Sequence, residues 1–159
     1  MKYHIVTYGC QMNVHESEKI AGLLRACGYT EEAPIEDADI VVFNTCCIRE
    51  NAENHAFGNI GALKKLKRQK KGMLIAVGGC MAQEQGKAAL LVKKFPFIDI
   101  IFGTHNVAEL PDLIARKRRE KKVVSLLEDR AATEDGAQAF RTSYPNAWVN
   151  ITYGCNNFC

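Results

Sequence analysis

The chain has 159 residues with a formal net charge of +3, and 47% of its residues are hydrophobic and 25% charged. These proportions are ordinary for a globular protein and exclude collagen-like repeats and wholesale disorder. No apolar run approaches the roughly 20 residues that a membrane-spanning helix needs, and the N-terminus lacks a signal-peptide core, so we expect a cytoplasmic protein without membrane contact. The unusual feature is seven cysteines, the last at position 159. In a cytosolic chain this content indicates metal ligation or thiol chemistry.

The first predicted element is a short strand, Tyr3 to Tyr8, which is followed by Gly9 and Cys10. Asn13, with Glu16 three residues later, has the pattern of a capping box, so we predict a helix with Asn13 as its N-cap. Apolar residues then recur at helical spacing, and Gly28 is well placed to end the helix. This apolar face consists of Ile20, Leu23, Leu24 and Cys27.

Strands and helices alternate over the next hundred residues. The predicted elements are a weak strand near Tyr29, a strand Ile40 to Asn44, a helix of about Arg49 to Lys70, a strand Met73 to Val77, a helix Ala82 to Lys94, a strand Ile98 to Phe102, a helix of about Val107 to Arg119 and a strand Val123 to Leu126. Pro111 is tolerable only in the first turn of its helix.

This alternation predicts an α/β fold. The crossovers are long enough for parallel pairing, so we expect a doubly wound, mainly parallel sheet of five or six strands, Rossmann- or flavodoxin-like. Ligands of such sheets lie outside the carboxyl ends of the strands. Cys10, Cys46 and Cys80 each follow a predicted strand by one to three residues. Three strands would therefore carry three cysteines to one edge of the sheet.

The last part of the chain has a different composition. Leu127 to Asn146 is rich in polar and small residues, which predicts a linker. Ala147 to Tyr153 predicts a new strand, which is followed by Cys155 and Cys159. We therefore divide the chain into a domain of residues 1–126, a linker of residues 127–146 and the start of a second domain at residues 147–159.

Thiolates are soft ligands that suit zinc and iron–sulfur clusters. The glycines beside the strand-end cysteines would let the backbone approach a bulky inorganic group. Buried cysteines that act only as small apolar residues explain the same positions equally well. The pair Cys155 and Cys159 fits a cluster ligand set, a zinc half-site or a loop disulfide. Cys27 lies on an apolar helix face and reads as core, and residue chemistry does not choose between Cys46 and Cys47.

The basic residues form two runs near predicted helix C-termini. Cations are favoured there by the helix dipole, and the same runs are an electrostatic footprint for a polyanion such as RNA. We give both interpretations equal weight. The runs hold 12 of the 21 basic residues: Lys64, Lys65, Lys67, Arg68, Lys70, Lys71, Arg116, Lys117, Arg118, Arg119, Lys121 and Lys122.

Several motifs together resemble a known family, and the resemblance covers residues 1 to 159. Four of them are similar to the N-terminal domain of the radical-SAM methylthiotransferases, and the fifth is similar to the start of that family's Cys-x-x-x-Cys-x-x-Cys motif. They are Tyr8-Gly-Cys-Gln-Met-Asn13, Asn44-Thr-Cys46, Ile48-Arg-Glu-Asn-Ala-Glu53, Val77-Gly-Gly-Cys-Met-Ala-Gln83 and Tyr153-Gly-Cys-Asn-Asn-Phe-Cys159.

The resemblance implies two 4Fe–4S clusters. Cys10, Cys46 and Cys80 correspond to the ligands of an auxiliary cluster, and the family pattern selects Cys46 over Cys47. Cys155 and Cys159 correspond to the first two ligands of the radical-SAM cluster. The third ligand would lie three residues past the last residue, so we expect the rest of the barrel to be missing and this chain alone to be inactive.

The motifs around the first two cysteines resemble the branch of the family that acts on tRNA. That branch implies methylthio addition to isopentenyl-adenosine beside the anticodon, with S-adenosyl-L-methionine as a cofactor, tRNA as a partner and an electron donor such as a flavodoxin-type reductase system. The sulfur donor is not indicated. Other branches, which modify threonylcarbamoyl-adenosine in tRNA or a ribosomal-protein aspartate, remain open, as do a zinc or redox-thiol module and a plain RNA-binding domain.

Overall fold

The computed structural model of the protein describes residues 1–46, 50–127, 139–141 and 147–148. Within these residues six strands form one sheet in which every neighbouring pair is parallel. The strands are β1 (Lys2–Thr7), β2 (Glu31–Glu32), β3 (Ile40–Thr45), β4 (Leu74–Gly79), β5 (Ile100–Phe102) and β6 (Val123–Ser125). The predicted α/β fold with a mainly parallel sheet is confirmed.

Five α-helices follow the strands or lie between them. They are α1 (Gln11–Ala26), α2 (Glu50–Gln69), α3 (Cys80–Gln83), α4 (Lys87–Lys94) and α5 (Leu110–Lys117), and a 3₁₀ helix, Thr104–Glu109, leads into α5. Pro111 lies in the first turn of α5, as predicted. No helix in the described part of the chain is long and apolar enough to cross a membrane.

The order of the strands across the sheet is β2-β1-β3-β4-β5-β6. The chain therefore moves outward from β1 to β2, then returns to the other side of β1 and adds the remaining strands in sequence. The direction of winding reverses between β1 and β3. In open α/β sheets a crevice forms outside the carboxyl ends of the strands at this switch point, and ligands bind there.

The sheet is covered on both faces, which explains the apolar run of Ile40 to Phe43 in β3. Ile40 and Val42 face a core under α1 and α5, whereas Val41 and Phe43 face a second core under α2, α3 and α4. All six residues of β3 are buried. A continuous apolar run is the pattern expected of a parallel strand with helices on both sides.

The start of α1 differs from the prediction that Asn13 is its N-cap. The helix begins at Gln11, so Cys10 occupies the N-cap position and Asn13 lies in the first turn. The side-chain oxygen of Asn13 accepts a hydrogen bond from the Cys10 backbone N–H at 3.2 Å. Asn13 thus takes the role that Glu or Gln has at the third helical position of a capping box.

The predicted helix Ala82 to Lys94 is also wrong, because it is divided into α3 and α4. The chain is extended at Glu84, and Gly86 has a φ of +79°, a left-handed conformation that ends any continuous helix. The predicted helix from Val107 is a 3₁₀ helix up to Glu109 and an α-helix only from Leu110.

Part of the predicted linker packs against α1. Phe140 contacts the core under α1, and its backbone N–H donates a hydrogen bond to the Glu18 carbonyl oxygen at 2.8 Å. The Arg25 guanidinium lies 4.0 Å from the centre of the Phe140 ring. Most of the linker, and the predicted strand Ala147 to Tyr153 beyond residue 148, lie outside the described residues, so the division into domains remains a prediction.

One buried carboxylate joins both helix layers to the sheet. Asp99, just before β5, accepts a hydrogen bond from the Ile75 backbone N–H at 2.9 Å. It also pairs with Lys67 of α2 at 2.5 Å and with Lys117 of α5 at 3.4 Å. The side chain of Asp99 is only 9% exposed, so its negative charge depends on these partners.

Replacing this carboxylate tests its role. We expect Asp99→Ala to lower the free energy of unfolding by about 3–5 kcal/mol, because it leaves two mostly buried ammonium groups without their partner. Asp99→Asn has an acceptor for the Ile75 N–H and should cost less. Urea denaturation measures both, and Glu36→Ala, at an exposed position, should stay within about 0.5 kcal/mol of the parent chain. A loss below about 1 kcal/mol for Asp99→Ala would contradict the assignment.

Candidate functional site

Three cysteines lie at the carboxyl ends of three adjacent strands. Cys10 follows β1, Cys46 comes directly after β3, and Cys80 comes directly after β4 as the first residue of α3. The order β1-β3-β4 makes these strands neighbours in the sheet. The pairing of Thr45 with Gly79 brings the cysteines that follow them to the same level. The edge therefore carries three thiol-bearing residues, two of them flanking the switch point between β1 and β3.

Two glycines with positive φ bring the segments of this edge into close contact. Gly9 has a φ of +128°, and a Cβ on it would lie 2.7 Å from the Cys46 Cβ, which is closer than carbon atoms can approach. Gly79 has a φ of +95°, and a Cβ there would press on the Thr45 carbonyl oxygen. Any other residue at these two positions would be strained and would push the cysteine segments apart.

A buried amide pair fixes the start of α1 to the end of β3. Asn13 and Asn44 are 5% and 2% exposed. The Asn44 side-chain nitrogen donates to the Asn13 carbonyl oxygen at 2.8 Å and to the Ser17 hydroxyl at 3.0 Å. The Asn13 side-chain nitrogen donates to the Thr45 carbonyl oxygen at 3.3 Å. Because Asn13 also accepts the Cys10 N–H, the pair holds the segments of Cys10 and Cys46 together.

The same network extends to β4. The Thr45 hydroxyl, fully buried, donates to the Gly78 carbonyl oxygen at 2.6 Å. The ends of β1, β3 and β4 are thus linked by side-chain hydrogen bonds beyond the backbone ladder. Asn44 was not predicted to be a positioning residue. Its only signal is an amide at the end of an otherwise apolar strand, where an unsatisfied polar group would be costly.

The three cysteines do not form a preformed metal site. Cys46 is 3% exposed, and its thiol and that of Cys10 are free. Among the residues that the structure describes, no group of three or more His, Cys, Asp or Glu is arranged to hold a metal ion. Thiolates are soft donors that suit zinc and iron–sulfur clusters, so three thiols at one edge of the sheet offer the type of donor that either group binds.

The other cysteines have different positions. Cys27 lies at the far end of α1 and packs against the core beneath that helix, in line with its interpretation as a core residue. Cys47, Cys155 and Cys159 lie outside the described residues. The choice of Cys46 over Cys47, and the ligand role of the Cys155 and Cys159 pair, therefore stay predictions.

Partial burial of Cys27 lowers the reactivity of its thiol. Burial raises the pKa of the Cys27 thiol, and the negative charge of Asp112 raises it further. We expect alkylation by iodoacetamide, followed by mass spectrometry of peptides, to be slower than for a cysteine in a short peptide and to keep accelerating above a pH of about 8.5. Asp112→Asn removes one cause, so the pKa should fall and the rate should rise, whereas Asp37→Asn should change neither. Peptide-like reactivity in the parent chain would contradict the burial.

The glycine contacts predict a second measurable difference. Gly9→Ala imposes a positive φ on a side chain that would also collide with Asn13 and Cys46, so we expect a loss of about 2 kcal/mol or more. The buried Cys46 thiol should become accessible to alkylation at the same time. Gly72→Ala is the matched control, because no atom lies within 4 Å of the added carbon and its φ is not positive. Equal stability and equal Cys46 labelling in the two variants would contradict the proposed contact.

Comparison with known proteins finds similar sequences that share one name. It is 51% identical over 158 residues to a tRNA-2-methylthio-N(6)-dimethylallyladenosine synthase of Caldicellulosiruptor saccharolyticus, an alignment that covers 99% of this chain and 34% of that protein. Proteins of the same name from Clostridium tetani and Carboxydothermus hydrogenoformans are 46% and 45% identical over 99% of the chain, which covers 35% and 36% of them. The chain thus spans about a third of the length of these relatives.

A family model covers most of the folded region. It matches residues 2–103, from the start of β1 through the end of β5, and so includes all three strand-end cysteines and the amide pair between them. This match covers most of the chain, and relatives align over nearly all of it. The chain therefore belongs to the uncharacterized protein family UPF0004.

Proposed function

We propose that this chain is the N-terminal part of a radical-SAM enzyme that adds a methylthio group to N6-dimethylallyl (isopentenyl) adenosine next to the anticodon of tRNA. The observation that carries the proposal is the placement of Cys10, Cys46 and Cys80 on three adjacent strand ends at the switch point of the sheet. The relatives that align over 99% of the chain bear the name of that reaction product.

The proposed ligand sets follow the domains. In residues 1–126, Cys10, Cys46 and Cys80 would hold an auxiliary 4Fe–4S cluster. Residues 127–146 would link this domain to the radical-SAM part that begins at residue 147, where Cys155 and Cys159 would be two ligands of the second 4Fe–4S cluster. When bound, the clusters and S-adenosyl-L-methionine supply the radical and sulfur-transfer chemistry.

The chain's own residues prepare the auxiliary site. Cys10 is the N-cap of α1, and the backbone N–H groups of Asn13 and Val14 donate to its carbonyl oxygen at 3.0 and 3.2 Å, which fixes Cys10 at the start of the helix. The hydrogen bonds of Asn13 and Asn44 fix the Cys10 segment relative to the Cys46 segment. Burial of Cys46 keeps water from its sulfur. The protein would therefore position the cluster and exclude water from it, and the cluster would supply the reactivity.

The proposed partners follow from the reaction. The substrate is tRNA, an electron donor such as a flavodoxin-type reductase system supplies electrons, and a separate donor supplies sulfur. A protein that acts on tRNA in this way works in the cytoplasm.

Anaerobic reconstitution tests the auxiliary site. In a Cys155→Ser/Cys159→Ser background, which removes the second ligand set, we expect iron and sulfide to bind in a ratio of about four each per chain, with the broad visible absorption of a 4Fe–4S cluster. Cys10→Ser, Cys46→Ser and Cys80→Ser should each abolish retention of the cluster. Cys27→Ser and Cys47→Ser are the matched controls and should retain it. One zinc ion per chain without a cluster, or loss of the cluster in the Cys47 variant alone, would overturn the assignment.

The substrate is tested in the full-length protein that contains this chain. Nucleosides from tRNA of a strain that lacks the gene should lose the 2-methylthio form of dimethylallyladenosine and regain it on complementation. Loss of the methylthio form of threonylcarbamoyl-adenosine, or of a methylthio-aspartate on a ribosomal protein, would instead place the protein in another branch.

A further inference from the structure

The edge of the sheet opposite the cysteines is strongly basic. Helices α2, α4 and α5 connect parallel strands, so all three end at the amino edge of the sheet. Their last residues and the residues that follow, 64–71, 93–94 and 116–122, contain fourteen basic residues and one acidic residue, Glu120. We call these three segments the basic edge. Its exposed members are Lys64, Lys65, Arg68, Lys71, Lys93, Lys94, Arg116, Arg118, Arg119 and Lys121.

A few lysines of the basic edge serve the fold. Lys67 and Lys117 pair with Asp99, and Lys70 donates to the carbonyl oxygens of Asp37 and Ala38 at 2.7 and 2.8 Å. The Lys122 ammonium nitrogen is buried, and burial lowers its pKa. These four side chains, Lys67, Lys70, Lys117 and Lys122, are the partly buried cations of the basic edge. Of the ten exposed ones, Arg116 pairs with Glu120 at 3.1 Å and Lys94 lies 4.4 Å from the centre of the Phe57 ring. The other eight make no salt bridge or ring contact with a described residue.

The helix dipole accounts for only four of the ten exposed cations, Arg68, Lys93, Lys94 and Arg116, which lie in last helical turns. Its favourable effect on positive charge is confined to the last helical turn. Lys64 and Lys65 lie a turn or more before the end of α2 at Gln69, and Lys71 and Lys121 lie beyond the ends of their helices. Self-repulsion among ten cations also destabilises the folded chain. A polyanionic partner would remove that cost.

The distance to the cysteine edge defines the kind of partner. A strand of six residues such as β4 separates the two edges by about 20 Å at about 3.3 Å per residue. A single base held at the cysteines cannot extend that far. A partner that reached from the cysteines to the basic edge would therefore be an extended polyanion, such as RNA with its regular phosphates.

Apart from Asp99 and Glu120, several acidic residues near the amino edge lie to one side. Glu31, Asp37 and Asp39 surround the start of β1, next to β2 and away from β5 and β6. This acidic group meets the basic edge at Lys70, which pairs with Asp39 at 3.4 Å, whereas the segments 93–94 and 116–122 lie on the β5 and β6 side. A polyanion would be directed to the β5 and β6 side.

We propose that the basic edge binds the phosphate backbone of the tRNA substrate, as a second contact about 20 Å from the cysteines. This inference rests on the proposed function for the identity of the RNA. In this arrangement the target base lies at the cysteine edge, and the basic edge binds the adjoining backbone of the same RNA.

Anisotropy of a labelled anticodon stem-loop RNA tests the proposal with this chain. We expect Arg118→Gln/Arg119→Gln and Lys64→Gln/Lys65→Gln each to weaken binding by about five- to eightfold per lost phosphate contact at 0.1 M salt, and to reduce the salt slope by about 0.7–0.9 per charge. Lys2→Gln/Arg141→Gln changes the net charge equally outside the basic edge. It should leave affinity within about twofold of the parent chain. Circular dichroism verifies that every variant is folded.

Three outcomes would overturn the inference: equal weakening by the control, unchanged binding in both test variants, or displacement of the RNA by polyglutamate at equal charge concentration. Zinc in place of a cluster with RNA still bound at the basic edge would refute the proposed function alone. A normal cluster with RNA binding indifferent to the basic edge would refute this inference alone.

Discussion

The central position of β3 is the constraint on which the rest of the structure depends. It pairs in parallel with β1 on one side and β4 on the other, with Thr7 opposite Asn44 and Thr45 opposite Gly79. The Tyr8 N–H continues the first ladder past the end of β1 by donating to the Asn44 carbonyl oxygen at 2.8 Å. Since side chains alternate between the two faces, a slip of one residue would turn every apolar residue of β3 toward the wrong core. Burial on both faces therefore fixes the level at which Cys46 leaves the sheet.

That fixed register is what allows amides to be buried at the edge. A buried polar side chain is tolerated only when its hydrogen bonds are made, and an unmade one costs about 1–3 kcal/mol. Asn44 and Asn13 meet this requirement through each other and through backbone atoms that the register puts within reach. The pair is consequently sensitive to geometry: it is satisfied in one arrangement of α1 against β3 and not in others. The relative positions of Cys10 and Cys46 depend on that arrangement.

The hydrophobic periodicity and the glycines at strand ends were sufficient to predict the fold and the common edge of the three cysteines, because these signals are present in the local sequence. The role of Asn13 was not predictable, since its partner Asn44 lies 31 residues away and the local pattern also fits an N-cap. The break at Gly86 was missed because an isolated glycine is tolerated inside a helix. Phe140 was overlooked because average composition, which indicates a linker, does not register one aromatic residue that packs on α1.

The same topology that gathers the thiols also gathers the cations. In a parallel sheet every strand ends at one edge, so residues that follow strands meet there, whereas the connecting helices run back and end at the other edge. The cysteines after β1, β3 and β4 lie at the first edge, and the lysines and arginines that end α2, α4 and α5 form a cationic surface at the other. Asp99 stands between the two helix layers and neutralises the lysines that must be partly buried. An α/β domain of this kind can therefore separate the site of chemistry from the site of electrostatic attraction without a second domain, and the strand length sets the distance between them.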